Sequence, residues 1–215
     1  QRDRVKGTVL AMVTRVVNTN EARARLRRNF PLFAANCLKI QTKDSTLIPF
    51  VFNEIQRDYW ERVKDELLNG RGYLRDYVLK PRQLGFSTFI LGLDYWDTMR
   101  RPNVNTAIVA HEKEAARNLL NIVHRYHDNM PEWIKPRTRY ASKYELSFSD
   151  IDSGIVIGTA KNTNLGRSRT LHKIHASEFA FWDEEGGDAR ETMAALLNTA
   201  PKDANVIIET TAKNF

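Results

Sequence analysis

The stretch that most constrains the fold of this 215-residue chain is residues 80–88, with the sequence KPRQLGFST. Residues 73–79, just before it, are rich in β-branched and aromatic side chains and predict a strand. Residues 87–99 predict a helix. A loop between a strand and a helix N-terminus is the usual place for a phosphate-binding loop, because free backbone N–H groups face the ligand there.

The rest of the chain continues the alternation of strands and helices. Further strands are predicted at residues 105–110, 144–148, 154–158, 171–176 and 206–210, and further helices at residues 53–69, 112–130 and 188–198. Residues 144–158 predict a hairpin around a turn at 149–153. Short connections between alternating elements favour an α/β fold with a mostly parallel sheet covered by helices on both faces.

The positive charge is concentrated near the N-terminus. The chain carries a net charge of +7, and residues 1–43 contain ten Lys or Arg against two Asp or Glu. A helical run at 21–29, with Pro31 and Pro49 interrupting the residues after it, predicts a small basic N-terminal helical segment or arm (residues 1–49) before the main domain (residues 50–215). Such a segment suits a polyanion or an acidic neighbouring surface; a solvated helix face is the alternative.

Two classes of protein are disfavoured by composition. No window approaches the ~18 consecutive apolar residues of a membrane span, and no signal peptide is visible, so we expect no membrane association. Cys37, the single cysteine, excludes an intrachain disulfide and a cysteine-built zinc site. A reducing, cytoplasmic setting fits these features.

The loop departs from the usual phosphate-binding pattern G-x-x-x-x-G-K-[ST]. Gly85 matches the second glycine and Ser87 the hydroxyl, but Phe86 stands at the lysine position and Lys80 at the first glycine position. Lys80, at the loop entrance, could swing its ammonium to the phosphates, with Arg82 adding a second charge.

Residues 174–182 (IHASEFAFW) supply an acidic residue after a buried strand. A P-loop ATPase needs one carboxylate to organise the hydrated Mg²⁺ and another to activate the attacking water. Glu178 fits the second role, although a helix-start acid is the alternative. Ser177 takes the metal-side position, where it could orient a Mg²⁺-bound water but adds no charge.

Other polar residues are less distinctive. Gln56 could read the N6 donor and N7 acceptor of adenine, or lie at the surface. His124, His127, His172 and His175 are predicted to be structural or surface residues, and His111 to be a packed core or loop residue near the site, not a catalyst.

The sequence resembles the ATPase half of the large terminases of tailed phages, over about residues 50–215. Arg82-Gln83-Leu84-Gly85-Phe86-Ser87 is similar to the terminase loop R-Q-x-G-K-[ST], in a deviant form with its lysine moved to the front. Glu209-Thr210-Thr211-Ala212, after a predicted strand, resembles the coupling motif of that family. The resemblance implies a P-loop NTPase fold of the RecA/ASCE-like type.

The resemblance also implies roles for particular residues. Lys80, Arg82, Glu178 and Arg167 would be catalytic, with Arg82 sensing the γ-phosphate and Arg167, favoured over Arg169, acting as a finger on a neighbouring subunit's nucleotide. The nucleotide would be bound by Gln56, Lys80, Arg82, Gln83, Gly85, Phe86, Ser87 and Thr88. Magnesium would be held by Ser87, Ser177 and Glu178, and coupling would involve Thr210, Thr211 and Ala212.

The implied function is hydrolysis of ATP with Mg²⁺ to drive double-stranded DNA into a procapsid. The implied partners are DNA, the portal ring, the small terminase subunit and further copies of the chain in a ring, in the cytoplasm of an infected host and transiently on the procapsid. We expect no nuclease activity from this chain. The alternatives are a helicase-like translocase, or a catalytically degenerate nucleotide-binding or DNA-binding assembly module, for which Phe86 and Ser177 would argue.

Overall fold

The computed structural model describes residues 19–68, 73–162, 165, 169–184, 186 and 188–212. This part of the chain has six α-helices: α1 (Asn20–Arg28), α2 (Phe30–Cys37), α3 (Glu54–Leu68), α4 (Phe86–Arg100), α5 (Lys113–Asp128) and α6 (Ala189–Asn198). It has nine strands: β1 (Lys39–Gln41), β2 (Leu47–Pro49), β3 (Arg75–Lys80), β4 (Asn105–Ala110), β5 (Thr138–Ala141), β6 (Glu145–Phe148), β7 (Ser153–Thr159), β8 (Lys173–Ser177) and β9 (Asn205–Thr211). A 3₁₀ turn covers Phe179–Phe181. No described helix is both long and apolar enough to span a bilayer.

Seven strands form one sheet in the order β3-β9-β8-β4-β7-β6-β5, and β1 pairs with β2 in a separate hairpin. The first five strands of that order run parallel, while β6 and β5 are antiparallel. β9, the last strand in the described sequence, is inserted between β3 and β8. The predicted α/β class with a mostly parallel sheet is confirmed.

Alternation along the central strands builds a core on each face of the sheet. On β4, Ile108 and Ala110 join the larger cluster, which includes side chains of α2, α3, α4 and α5. Ala107 and Val109 point to the opposite face and join a smaller cluster around Trp182 and α6. Because successive side chains of a strand face opposite sides, one apolar run serves both cores.

The basic N-terminal segment contributes to the larger core. Phe30 of α2 is fully buried and lies 5.0 Å from the Phe52 ring and 5.6 Å from the Phe89 ring. The Trp96 indole N–H of α4 donates to the Leu26 carbonyl of α1 at 2.9 Å. The boundary between residues 49 and 50 stays a prediction, since these contacts join the two sides within one core.

The interpretation of Pro31 as an interruption is wrong, because Pro31 lies in the first turn of α2. Proline fits there, since the first backbone N–H groups of a helix have no partner within the helix. The Asn29 side chain caps the same turn by accepting from the Leu32 N–H at 2.9 Å.

Most other elements agree with the sequence prediction. β4 matches its predicted bounds, and the hairpin of residues 144–158 forms as β6 and β7. The sequence did not predict the short strands β1, β2 and β5. Each is three or four residues long and has no fully buried residue, so it carries little hydrophobic periodicity.

One buried histidine ties the edge of the sheet to two helices. His127 of α5 has its Nδ1 atom 2.9 Å from the Tyr95 hydroxyl and its Nε2 atom 2.7 Å from the Thr138 hydroxyl of β5. Burial, followed by the Lys135 charge, lowers the pKa of His127 to about 4. The imidazole is therefore neutral in the folded protein at pH 7.

The buried His127 predicts a pH dependence of stability. An unfolded chain has a histidine pKa of about 6.5, so it binds the proton first as the pH falls. We expect the free energy of unfolding to fall between pH 6.5 and 4, and His127→Gln to reduce that fall. Urea denaturation at about pH 7 and about pH 5 measures this difference. Equal pH slopes in both proteins would contradict it.

Candidate functional site

The loop after β3 is held in a defined conformation at the start of α4. Gln83 and Gly85 both have positive φ, of 64° and 65°, and Gly85 is the residue that caps α4. The Leu84 carbonyl accepts from the Asn53 amide at 3.1 Å, and the Gly85 carbonyl accepts from the Gln56 amide at 2.9 Å. The loop thereby brings the N-terminus of α4, with its free N–H groups, to the carboxyl end of the sheet.

Lys80, the last residue of β3, lies at the centre of the site. Its Nζ atom is 2.5 Å from the Ser87 hydroxyl and 3.0 Å from the Glu178 carboxylate, and it also contacts Glu209. The residue is only 8% exposed. The structure brings Lys80 together with Ser87, while the expected role of Lys80 at the nucleotide phosphates stays a prediction.

The strand order explains this convergence. β9 lies between β3 and β8, with Lys80 paired in register to Thr211 and Ser177 to Glu209. Side chains two apart on β9 share a face, so Glu209 and Thr211 both lie between Lys80 and Glu178. The carboxyl ends of three parallel strands therefore supply one polar cluster.

Glu178 adopts a strained backbone conformation immediately after β8. Its φ of 52° and ψ of 47° lie in the left-handed region, which non-glycine residues rarely enter. One of its carboxylate oxygens accepts two hydrogen bonds from Thr211, from the backbone N–H and the hydroxyl, each at 2.9 Å. This conformation directs the carboxylate back toward β9 and Lys80.

Phe86 occupies the ordinary lysine position for a packing reason. It is 5% exposed, and its ring packs edge-on against Tyr59 at 5.1 Å and lies 5.7 Å from Phe89. The aromatic side chain therefore anchors the start of α4 to α3. A lysine here would bury its stem and ammonium among rings.

Gln56 has both ends of its amide engaged. Its oxygen accepts from the Asn53 N–H at 3.1 Å while its nitrogen donates to Gly85. The side chain is 4% exposed, so Gln56 is a buried support of the loop and not a surface glutamine. Its role in reading adenine stays a prediction.

Behind Lys80, a chain of buried charges runs into the core. His175 Nδ1 is 2.8 Å from the Asp94 carboxylate of α4, and its Nε2 atom is 3.5 Å from Glu209. Burial lowers the pKa of His175, but Asp94 and then Glu209 outweigh burial and raise it to about 9. Burial raises the pKa of the Glu209 carboxyl, but the nearby His175 and then Lys80 lower it to about 2. At neutral pH the imidazolium therefore lies between two carboxylates.

The oxygen atoms around the Lys80 ammonium fit a hard divalent cation. Ser87 offers a hydroxyl and Glu178 and Glu209 offer carboxylates, and all three contact one nitrogen atom. Among the described residues, no group of three or more His, Cys, Asp or Glu side chains could hold a metal alone. Mg²⁺ typically binds through one or two carboxylates with phosphate oxygens and water completing its shell, so this set suits a magnesium–nucleotide complex.

Most of the other expected site residues line one pocket, and Ser177, Thr210 and Ala212 lie outside its lining. A pocket of about 500 Å³ is lined by the loop and by Lys80, Glu178 and Thr211, and its lining includes Arg82, Gln83, Gly85, Phe86, Ser87, Thr88 and His111. Ser177 is buried, and its hydroxyl donates to Glu209 at 2.6 Å. The Thr210 hydroxyl accepts from the Ala180 N–H at 3.2 Å, and Ala212 is exposed just after β9.

Of the two candidate finger arginines, only Arg169 lies among the described residues. Arg167 lies outside the described residues. Arg169 forms a two-pronged ion pair with Glu145 of β6, with distances of 2.9 and 3.0 Å. Arg169 therefore has a partner within its own chain, on the antiparallel side of the sheet.

Glu209, His175 and Asp94 were missed as members of the site cluster. The sequence predicts Glu209 only as the first residue of the Glu209-Thr210-Thr211-Ala212 motif, and His175 as a structural or surface residue. The signal in the sequence was Glu209 and His175, two polar residues within runs that are otherwise mostly apolar. Such residues are expensive to bury unless paired.

The sheet order and the loop define a P-loop fold of the RecA-like class. Similar solved structures include the crystal structure of the HK97 bacteriophage large terminase, with a TM-score of 0.66 and 13% identity over 86% of this chain and 37% of that chain. They also include the large terminase ATPase domain of Thermus phage P74-26, with a TM-score of 0.52 and 13% identity over 77% of this chain and 67% of that chain. No family model and no curated protein sequence matches the chain.

The chain thus has the fold of the ATPase domain of phage large terminases, as the sequence resemblance predicted. It spans well under half of the HK97 protein. At this level of sequence identity the likeness establishes the fold alone.

The positive φ of Glu178 predicts that glycine at this position gives a more stable protein than alanine, the reverse of their usual order. Glycine adopts positive φ freely, whereas an alanine pays about 1–2 kcal/mol there. Glu178→Gly and Glu178→Ala both remove the carboxylate, so their difference isolates the backbone. We expect Glu178→Gly to be the more stable by about 1 kcal/mol in urea denaturation. A more stable Glu178→Ala would show that the backbone relaxes out of this conformation.

Proposed function

We propose that this chain is the ATPase domain of a phage large terminase, which hydrolyses ATP with Mg²⁺ to drive double-stranded DNA into a procapsid. One observation carries the proposal: Lys80, Ser87 and Glu178 converge beneath a loop that opens a helix N-terminus. The fold shared with the HK97 and P74-26 terminases supports this choice among P-loop ATPases.

In this proposal the loop holds the nucleotide phosphates. Backbone N–H groups of residues 83–88 and the N-terminus of α4 donate to the phosphate oxygens. Lys80 turns from the carboxylates to the β- and γ-phosphates, and exposed Arg82 at the pocket wall senses the γ-phosphate. Gln56 supports the loop from behind, and to read an adenine edge its amide would have to leave its Asn53 and Gly85 partners.

The hydroxyl of Ser87 and a nearby carboxylate hold the metal in this scheme. Magnesium, when bound, would neutralise the charge that develops during phosphoryl transfer. Glu178 orients the attacking water and accepts its proton, while its two bonds from Thr211 keep the carboxylate in place. Removing such a positioned group typically costs 10²–10³-fold in rate.

The contacts of Glu178 also offer a route for coupling. Thr211 binds the catalytic carboxylate, and Thr210 binds the backbone of the turn after Glu178. A change in the charge or position of Glu178 during hydrolysis therefore reaches the end of β9 and Ala212 directly. This link supports a coupling role for residues 210–212.

The assembled motor needs partners beyond one chain. We propose that several copies form a ring on the portal with the small terminase subunit, and that Arg167 reaches the nucleotide of a neighbouring copy. A finger of this kind is worth roughly 10³–10⁵ in rate. Isolated chains are then expected to hydrolyse ATP slowly.

Steady-state ATP hydrolysis with Mg²⁺ or with EDTA tests the proposed activity. We expect Mg²⁺-dependent turnover that falls at least about 100-fold in Lys80→Ala and in Glu178→Ala. Lys64→Ala, which removes an α3 lysine paired with Glu61 outside the pocket, serves as the matched control and should retain wild-type turnover. Circular dichroism checks that each variant is folded.

The alternatives give different results in this assay. A degenerate nucleotide-binding module predicts no turnover, and no difference between wild type and Lys80→Ala. A helicase-like translocase predicts the same losses but stimulation by single-stranded DNA. Packaging predicts a preference for the duplex.

The basic helix α1 gives a second test, of DNA binding. Arg25, Arg27 and Arg28 are exposed in its last turn. Each phosphate contact contributes about 0.9 to the slope of log affinity against log salt concentration. If α1 grips duplex DNA, replacing all three arginines by alanine should reduce that slope by about 2–3 and weaken binding without changing basal hydrolysis. Fluorescence anisotropy across a salt series measures the slope, and an unchanged slope would exclude α1 from the DNA interface.

A further inference from the structure

Lys80 and a bound magnesium ion would require the same oxygen atoms. The ammonium contacts the Ser87 hydroxyl, the Glu178 carboxylate and the Glu209 carboxylate, which belong to three different elements. A hydroxyl and carboxylates are the ligands that magnesium prefers in a nucleotide site. Both cations therefore compete for one position.

Ser177 leaves the metal side of β8 without a negative charge. Its hydroxyl donates to the Glu209 carboxylate, with the two oxygen atoms 2.6 Å apart. Ser177 and Glu209 are register partners on neighbouring strands. Glu209 therefore supplies on β9 the negative charge that the end of β8 lacks, and β9 is the strand between β8 and the Lys80 strand β3.

Glu209 is also firmly held. It is fully buried; one carboxylate oxygen meets Ser177 and lies 3.5 Å from His175, and the other meets Lys80. His175 is fixed in turn by Asp94 of α4, the helix that the phosphate loop opens. The carboxylate is thus tied to β8, which Glu178 directly follows, and to α4, which carries Ser87.

We propose that Glu209 is the metal-side carboxylate of this site, and that magnesium–nucleotide binds by exchange with the Lys80 ammonium, which moves to the phosphates. This inference rests on the proposed ATPase function and adds the residue and the exchange. Nucleotide alone would draw Lys80 away and leave two carboxylates facing the phosphates. Magnesium removes that repulsion, so it should strongly favour nucleotide binding.

The first test compares binding of a fluorescent ADP with Mg²⁺ and with EDTA. Wild type should bind more tightly with Mg²⁺. In Glu209→Gln this magnesium advantage should fall at least about tenfold, with metal-free binding unchanged or tighter because a repelling charge has gone. Glu145→Gln, the same chemical change at an ion-paired glutamate outside the pocket, should keep the wild-type ratio.

A rescue separates a metal role from a structural one. Ser177→Asp combined with Glu209→Gln returns a carboxylate to β8 and should restore the magnesium advantage. A merely structural Glu209 would instead weaken binding equally with and without Mg²⁺, and the double variant would not recover. Either a retained ratio in Glu209→Gln or equal losses would overturn the proposal while leaving the ATPase function standing. Absence of any ADP binding by wild type would overturn both.

A second measurement needs neither nucleotide nor turnover. Lys80→Met removes the competing ammonium and leaves Glu178 and Glu209 without their cation. Added Mg²⁺ should then raise the melting temperature of Lys80→Met, and should not do so in wild type or in Lys80→Met with Glu209→Gln. Thermal denaturation across a Mg²⁺ series measures this effect. If the melting temperature of Lys80→Met did not change with Mg²⁺ concentration, the proposed exchange would be overturned.

Discussion

Lys80 and Glu209 face each other at the adjoining ends of β3 and β9, and both are almost completely removed from water. A charge in such a position is tolerated only with a partner, because the loss of hydration otherwise exceeds any gain. Each member of this pair has further partners: Ser87 and Glu178 for the lysine, Ser177 and His175 for the glutamate. The loop after β3, the end of β8 and the inserted strand β9 are consequently held in one arrangement by a single set of opposite charges.

A second group of buried charges extends this arrangement along α4. Lys173 of β8 lies 3.2 Å from Asp94 and 3.3 Å from Asp97, and Asp97 also pairs with Arg100 and Arg101. Burial raises the pKa of Asp97, but Lys173 and then Arg100 lower it to about 2, so the carboxylate stays charged. Removing one partner from such a buried pair typically costs about 3–5 kcal/mol. α4 is therefore attached to β8 by the ion pairs of Asp94 and Asp97, and to α3 by aromatic packing at its start.

The sequence predicted the elements that have strong hydrophobic patterns and the residues that have local signals. β4, the β6–β7 hairpin and α6 have apolar runs of ordinary length, and the loop of residues 80–88 follows a spacing that reflects local backbone geometry. Lys80 and Ser87 are seven residues apart across one loop, so their contact was foreseeable.

Contacts that depend on strand order could not be predicted in the same way. Glu209 meets Lys80, 129 positions earlier in the chain, only because β9 is inserted between β3 and β8. Nothing local in β8 or β9 specifies which strand lies beside which. The fold of the proline-containing α2 and the loop-supporting role of Gln56 were missed for a related reason: each depends on what packs against it.

The burial of Phe86 has a consequence for how such a loop can change during evolution. The ring fills a space between Tyr59 and Phe89, so Phe86→Lys alone would leave a gap there and place an ammonium among aromatic groups. Restoring glycine at position 80 alone would remove the cation that faces Glu178 and Glu209. Neither single step toward the ordinary loop is neutral, so the displaced lysine and the aromatic residue constrain each other, and a lineage that has both is expected to keep both.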